Sequence, residues 1–360
     1  MKPQILVATS KGLIVLTARD NSYLISDIHF AGFPISFVYS DPRDGTWWVG
    51  ISHKHWGEKL HQSSDFGMSW QELKVPSYGN SEYRPGKPAL LRKIWVMQHA
   101  GVDKPNCFWM GTEPGALFFS ADNGQTITLN DGLWNHASRM DDQQWFGTGK
   151  DFPFLHTIAI DPRNSDHLYV GVSCAGVFET MDSGKNWEPR NAGLKATYLP
   201  NSKSTIGHDP HQLLICPAHP DVIWQQNHCG IYRSSDGGKM WSEVSGEDGF
   251  PYYGFALAID EEDPNTAWVI PAKSDTARIP ANLRLEVYRT SDAGASWRST
   301  SSGLPAKNAF DIVLRQAFSK KGSVLVFGTN NGNLYLSTDY GESWEPISQN
   351  LAAVQAVCFT

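Results

Sequence analysis

The sequence is poor in the features that define several protein classes. It has five cysteines in 360 residues and no Cys-x-x-Cys pair, which favours reduced thiols in the cytoplasm over a disulfide framework. No stretch approaches the roughly 18 apolar residues of a membrane-spanning helix. The first residues lack the apolar core of a secretory signal. No Lys/Arg-rich run is present and the net charge is -7, so neither a nucleic acid nor a membrane is an expected partner.

An octapeptide pattern, Ser/Thr-x-Asp-x-Gly-x-x-Trp, recurs along the chain. Five copies are complete, and a sixth, at residues 120–127, ends in Ile127 instead of tryptophan. A period of this size indicates one supersecondary unit that is repeated. The aspartates of the six copies are Asp65, Asp122, Asp182, Asp236, Asp292 and Asp339.

The chemistry of the octapeptide is that of a hairpin turn. Aspartate can accept hydrogen bonds from backbone N–H groups about two residues on, and the Ser/Thr hydroxyl can cap the same loop. Glycine supplies a positive φ, and tryptophan can fill the space between neighbouring units. Since chemistry needs one site and not six, these aspartates are predicted to be structural.

Each octapeptide is preceded by two or three short apolar runs separated by turn residues. The unit therefore predicts a blade of four antiparallel strands. Six octapeptides give six blades, and a seventh is split between residues 1–30 and 352–360, so that the C-terminal strand closes the ring. We predict an all-β, seven-bladed β-propeller that forms a single domain over residues 1–360.

These repeats resemble those of the Asp-box (BNR-repeat) propeller superfamily, which includes sialidases, xyloglucan-cleaving glycosidases, the sortilin propeller and photosystem II assembly factors. More narrowly, the chain is similar to bacterial BNR-repeat proteins labelled glycosyl hydrolase or sialidase-like. Sialidases carry an arginine in a Phe/Tyr-Arg-Ile-Pro motif. The corresponding residues 32–36 read Gly-Phe-Pro-Ile-Ser, and the missing arginine counts against true sialidase activity.

In the resembling enzymes the active site lies at the end of the ring opposite the Asp boxes. That end receives the insertions at residues 76–88, 130–152, 191–207 and 271–285. The openings of strands beside the axis could bring together four histidines as ligands of a divalent metal: His156, His208, His211 and His228. Acid–base or hydrogen-bonding work on a polar ligand, and a purely structural role in tying loops together, are the alternatives.

Glycoside hydrolysis needs two carboxylates beside the scissile bond. Glu113 is the most suggestive, in the tight loop Gly-Thr-Glu-Pro-Gly. Other acids considered for this face are Asp103, Asp141, Asp142, Asp151, Glu247, Asp248 and Asp275. The candidate catalytic residues are Glu113, His156, His208, Asp209 and His211. The candidate ligand-binding residues are His53, His55, His228, Arg92 and Tyr253.

Two functions follow from these residues. The first is a glycoside-directed hydrolase, or a protein that binds a small polar or carbohydrate-like ligand in a His-rich pocket. The second is a non-catalytic propeller that serves as a scaffold or assembly factor and binds a protein partner. The first predicts a deep pocket with paired carboxylates or a metal, and the second an open apolar face without perturbed titratable groups.

Overall fold

The structure, a computed structural model, describes residues 3–20, 22–141, 144–147, 151–201, 204–246 and 250–360. The acids Asp142, Glu247 and Asp248 lie outside the described residues. Within the described part, no helix has the length and apolar character that crossing a membrane requires.

Seven four-stranded antiparallel sheets form the blades of a β-propeller, as predicted. In chain order, the strands of the first three blades, before the last strand of the chain is added, are β1 Ile5–Thr9, β2 Gly12–Arg19, β3 Ser22–His29; β4 Ile35–Ser40, β5 Trp47–His53, β6 Gly57–Ser63, β7 Gln71–Leu73; and, after the hairpin β8 Glu82–Arg84 and β9 Lys87–Pro88, β10 Lys93–His99, β11 Phe108–Glu113, β12 Ala116–Ser120, β13 Thr128–Leu129.

The remaining strands form four further blades and complete the first. They are β14 Leu155–Ile160, β15 Leu168–Val172, β16 Gly176–Thr180, β17 Glu188–Pro189; β18 Pro210–Ile215, β19 Ile223–Asn227, β20 Gly230–Ser234, β21 Ser242–Glu243; β22 Gly254–Ile259, β23 Ala267–Pro271, β24 Tyr288–Thr290, β25 Arg298–Ser299; β26 Phe318–Lys321, β27 Val324–Gly328, β28 Leu334–Ser337, β29 Glu345–Ser348; and β30 Val354–Phe359. The short helices described are α1 Asp131–Trp134 and the 3-10 helices Ala137–Met140 and Ala281–Leu283.

The C-terminal strand closes the ring. β30 pairs antiparallel with β1, with Ile5 opposite Phe359 and Val7 opposite Val357. Val354 is fully buried. The innermost strands contact one another in the closed cycle β30, β4, β10, β14, β18, β22 and β26. The prediction that the C-terminal strand closes the ring is therefore confirmed, and this strand pairs with the inner edge of β1.

All six octapeptides fold into the same turn. In the copy at residues 180–187, the Thr180 hydroxyl donates to Asp182 Oδ1 (2.8 Å) and accepts from the backbone N–H of Gly184 (3.0 Å). Asp182 Oδ1 accepts from the N–H of Asn186 (2.9 Å), four residues on rather than two. Ser183 and Gly184 both adopt positive φ, 56° and 80°. The other five copies repeat these bonds.

The tryptophans that end the octapeptides join neighbouring blades. Trp241 donates its indole N–H to the carbonyl of Arg190 in the preceding blade (2.8 Å), and Trp344 donates likewise to Thr300 (2.8 Å). Both rings are buried. These two side chains therefore fill the space between neighbouring units, as predicted, and each adds a hydrogen bond to the packing.

The innermost strands share an irregularity near one end. In six blades the register of the innermost strand with its neighbour skips one residue, as in a β-bulge: Ser36, Trp95, His156, His211, Phe255 and Gln355. A bulge re-aims the side chain of the extra residue. In all six of these blades the bulge lies near the start of the innermost strand, and in antiparallel blades that end is opposite the Asp-containing turns.

Candidate functional site

A cavity of about 930 Å³ lies at the end of the ring where the innermost strands begin. The bulged residues Trp95, His211 and Phe255 line it. Three of the four long insertions complete its wall. Residues 130–152 contribute Asp141 and Phe146, residues 191–207 contribute Tyr198 and Asn201, and residues 271–285 contribute Asp275 and Arg278. The expectation that the insertions meet at the end opposite the Asp-containing turns is confirmed for these three. The fourth insertion forms the β8–β9 hairpin.

Asp209 is the buried acid of the cavity. It directly precedes β18, and its side chain is 7 % exposed. Its Oδ1 accepts hydrogen bonds from the Ser173 hydroxyl (2.8 Å) and from the backbone N–H of Cys174 (3.2 Å). Both donors belong to the loop that follows β15 in the neighbouring blade. The carboxylate is therefore fixed on one side, and its Oδ2 is directed at two histidines.

His211 and His228 face Asp209 Oδ2. His211 Nε2 is 3.3 Å from this oxygen, and His228 Nδ1 is 3.5 Å from it. His211 Nδ1 lies 2.6 Å from the carbonyl oxygen of Gly254, so this nitrogen carries a proton and donates it to the carbonyl. The other side of His228 faces Asp275, with Nε2 3.6 Å from Oδ2. One imidazole thus stands between a buried and a half-exposed carboxylate.

The ionisation of the pair follows from burial and charge. Burial acts to raise the pKa of Asp209, but the interactions of its carboxylate with His211 and His228, with the nearby guanidinium of Arg315, hold that pKa well below its usual range. Burial lowers the pKa of His211, against the opposing effect of Asp209. Burial also raises the pKa of Tyr253 to about 12, so its hydroxyl stays protonated and can donate.

The donor atoms of Asp209, His211 and His228 lie within 4.8 Å of one another. Two imidazoles and one carboxylate are a set that binds first-row divalent cations. The hydrogen bond from His211 Nδ1 to a backbone carbonyl is the outer contact that orients such a ligand. These three residues therefore fit a cation, which they would hold at the wall of the cavity.

The structure corrects the expected convergence of four histidines. His156 is fully buried, with Nε2 2.8 Å from the carbonyl of Pro210 and Nδ1 3.0 Å from the Thr157 hydroxyl. Both its nitrogens are thus engaged within the protein. His208 Nε2 lies 2.8 Å from the carbonyl of Ser204. Neither side chain belongs to the cluster or lines the cavity.

Glu113 also lies away from the cavity. It ends β11, is 6 % exposed, and accepts a hydrogen bond from the indole N–H of Trp95 (3.2 Å). Trp95 in turn stacks on Phe154 at 4.3 Å and lines the cavity. Behind it, burial and the charge of Glu113 raise the pKa of Glu58 to about 7. Glu113 is placed to orient Trp95, not to touch a ligand in the cavity.

Of the predicted ligand-binding residues, His228 and Tyr253 line the cavity, whereas His53, His55 and Arg92 do not. His53 and His55 lie together in the hairpin between β5 and β6, with ring centroids 5.9 Å apart. Arg92 is exposed beside the start of β10. His53 and His55 belong to blade two, and none of the described residues that line the cavity comes from that blade.

Several residues of the site were not predicted from the sequence. Arg315, Phe154 and Phe255 form one wall, and Ser173 anchors Asp209. A signal was available for two of them. Aligning the blades on their innermost strands puts Phe255 and Arg315 at the positions of His211 and His156.

The chain is similar to glycosidases in its sequence, although no family model matches it. It is 23% identical to a probable oligoxyloglucan-reducing end-specific xyloglucanase of Neosartorya fischeri over 66% of this chain and 30% of that protein. It is 24% identical to a xyloglucanase of Acetivibrio thermocellus over 71% of this chain and 30% of that one. The chain thus spans about a third of the length of these relatives.

Solved structures share its fold. An ancestral GH74 enzyme superposes with a TM-score of 0.57 at 15% identity, over 91% of this chain and 38% of the other. YCF48 bound to a D1 peptide superposes with a TM-score of 0.50 at 14% identity, over 92% and 84%. The chain is therefore a seven-bladed propeller, distantly related to xyloglucanases.

Proposed function

We propose that this propeller is a glycoside-directed hydrolase that binds a carbohydrate-like ligand in the cavity at the mouth of the ring. The observation that carries the proposal is the convergence of Asp141, Asp209 and Asp275 with two histidines in one aromatic-walled cavity. Aromatic rings can stack on sugar rings, and glycoside hydrolysis requires two carboxylates. Sequence similarity to xyloglucanases supports the same class of reaction.

The carboxylates divide by burial. Asp209 is enclosed and hydrogen-bonded on both oxygens, so its role is to fix His211 and His228. Asp275 is 48% exposed and faces His228, and Asp141 lies on the wall with Oδ2 accepting from Gln144 (2.7 Å). We assign Asp141 and Asp275 as the pair that flanks the scissile bond. His228 faces Asp275 through Nε2 and orients this carboxylate, and Tyr253 donates to a ligand hydroxyl.

A divalent cation on Asp209, His211 and His228 is part of the proposal. Bound there, it would polarise a ligand oxygen as a Lewis acid. Its three ligands include His211 and His228 of the four histidines expected from the sequence, with Asp209 in place of the other two. We also propose a cytoplasmic location, which the absence of a disulfide among the five cysteines supports.

The test is hydrolysis of a panel of aryl glycosides and xyloglucan oligosaccharides by the wild type and by two variants. Asp275→Asn should lower kcat about 10²- to 10⁴-fold, the contribution typical of a general acid or base. Asp151→Asn, an exposed acid that does not line the cavity, is the matched control and should leave kcat unchanged. Full activity of Asp275→Asn would remove this assignment.

A non-catalytic scaffold is the alternative function. It would require an open, apolar face, whereas this face holds a cavity with a buried Asp209–His211 pair. Perturbed pairs of this kind are typical of functional sites. Failure of the wild type to hydrolyse any member of the panel, together with stable capture of a protein partner at the cavity end, would favour the scaffold.

A further inference from the structure

Arg315 occupies the wall of the cavity between two aromatic rings. It precedes β26, and its guanidinium carbon lies 5.2 Å from the centroid of the Phe154 ring and 5.1 Å from that of Phe255. Aromatic faces attract a cation and hold its plane in a defined orientation. The charge is therefore fixed at the cavity and is not free to turn towards bulk solvent.

The guanidinium has no hydrogen-bond or ion-pair partner among the described residues. Its Nε is buried without a hydrogen bond, and no carboxylate of the described chain lies within ion-pair distance. The acid whose charge acts most strongly on Arg315 is Asp209, which already contacts Ser173, Cys174 and two histidines. Arg315 is half-buried with its Nε enclosed, and an arginine in such a place is normally paired, because an uncompensated buried charge is costly. Here the open side of the charge is the cavity.

A second arginine faces the same ring. The guanidinium carbon of Arg278 lies 5.4 Å from the centroid of Phe255, and its Nε donates to the backbone carbonyl of Asp275 (3.2 Å). Arg278 is exposed and belongs to the insertion at residues 271–285. Two guanidiniums around one phenyl ring repel each other, and an anion between them would relieve that repulsion.

We propose that Arg315 and Arg278 form an anion subsite in the cavity, and that the natural ligand carries a carboxylate or a phosphate group. Arginine forks match both groups with paired N–H donors. Only the description of this ligand as carbohydrate-like rests on the proposed function. The subsite lies beside Asp275 and His228, so the anionic group would position the rest of the ligand against them.

The test compares three sugars that differ in charge: D-glucuronate, D-glucose 6-phosphate and D-glucose. Calorimetric titration of the wild type should show binding of at least one anionic sugar and at least tenfold weaker binding of glucose. Arg315→Gln should weaken the anionic sugar about 10- to 100-fold, the loss expected for charged hydrogen bonds. Arg315→Lys should recover part of this loss. Arg92→Gln, exposed and away from the cavity, should bind as the wild type does.

Arg278→Gln covers the case in which the Arg315 variants fail to fold, because Arg278 is exposed. It should also weaken the anionic sugar. Equal affinity for the three sugars, or unchanged affinity in both glutamine variants, would overturn the subsite. The carboxylate and phosphate arms show which group it takes. Anion binding without hydrolysis of any glycoside would uphold the subsite and overturn the proposed function, whereas hydrolysis of neutral glycosides alone would do the reverse.

Discussion

The two ring nitrogens of His211 face different kinds of partner. Nδ1 lies 2.6 Å from a carbonyl oxygen and must donate to it, so in the neutral ring Nε2 presents a lone pair to Asp209 Oδ2 at 3.3 Å. Two acceptors at this distance need a cation between them, either a proton or a metal ion. His228 Nδ1 lies 3.5 Å from the same oxygen, and both His228 and Asp209 line the cavity.

We therefore expect purified protein without a histidine tag to contain about one divalent metal ion per chain by elemental analysis, since two imidazoles and a carboxylate bind first-row metals. His228→Gln, at a partly exposed position, should lose the ion. His53→Gln, in the hairpin between β5 and β6, should keep it. Wild-type protein that takes up neither zinc nor manganese on incubation would show that a proton fills this place instead.

At the scale of the strand, the sequence predicts those features whose hydrogen bonds all lie within a few neighbouring residues. The Asp-containing turn is complete within eight residues, as the bonds among Thr180, Asp182 and Gly184 show, so six copies could be found by pattern alone. The site is different in kind. A one-residue bulge at the start of β18 sets the direction of His211, and the sequence around it does not show that a bulge forms there.

The same limit explains Arg315. Its environment is made by Phe154 and Phe255, which come from two other blades, and by the prior engagement of Asp209. Aligning the blades places Arg315 at the position of His211, but the alignment does not show that these two rings will flank its guanidinium. Glu113 shows the opposite error. Its position in a tight loop near the axis predicted a catalytic role, but its carboxylate accepts a hydrogen bond from Trp95.

A buried ionic network joins three strands of the fourth blade. His167, directly before β15, lies between Asp161 Oδ2 (3.0 Å) and Glu179 Oε1 (2.7 Å), and Glu179 also pairs with Arg190 (2.6 Å). The hydrogen bond from His167 to Glu179 is the largest of the effects that raise the pKa of His167. A raised folded-state pKa contributes stability below the unfolded value of about 6.5, and that contribution is lost as pH rises through the folded value.

His167→Gln should therefore cost about 1.5–3 kcal/mol of unfolding free energy at pH 6, the range for hydrogen bonds to charged groups, and less at pH 9. Urea unfolding of both proteins between pH 6 and pH 9 measures the difference. His219→Gln, an exposed histidine, should show no such trend. A difference between wild type and His167→Gln that is constant over this range would mean that His167 is neutral in the folded protein.

At the scale of the whole ring, closure depends on one strand. β30 is the innermost strand of the first blade, and it contacts both β4 and β26 on its two sides. Val354 is fully buried and Val357 nearly so, both within the apolar core. Without β30, the edge of β1 and the flanks of two neighbouring blades would meet water.

Removal of residues 354–360 should therefore destabilise the protein by at least about 3 kcal/mol, because each buried valine contributes roughly 1.5–3 kcal/mol. Thermal unfolding followed by tryptophan fluorescence would show a lower midpoint and a broader transition, since an open ring unfolds blade by blade. Removal of Thr360 alone, which lies beyond β30, should change the midpoint far less. A truncated ring that unfolds at the wild-type midpoint would mean that the other six blades, not closure, set the stability of the propeller.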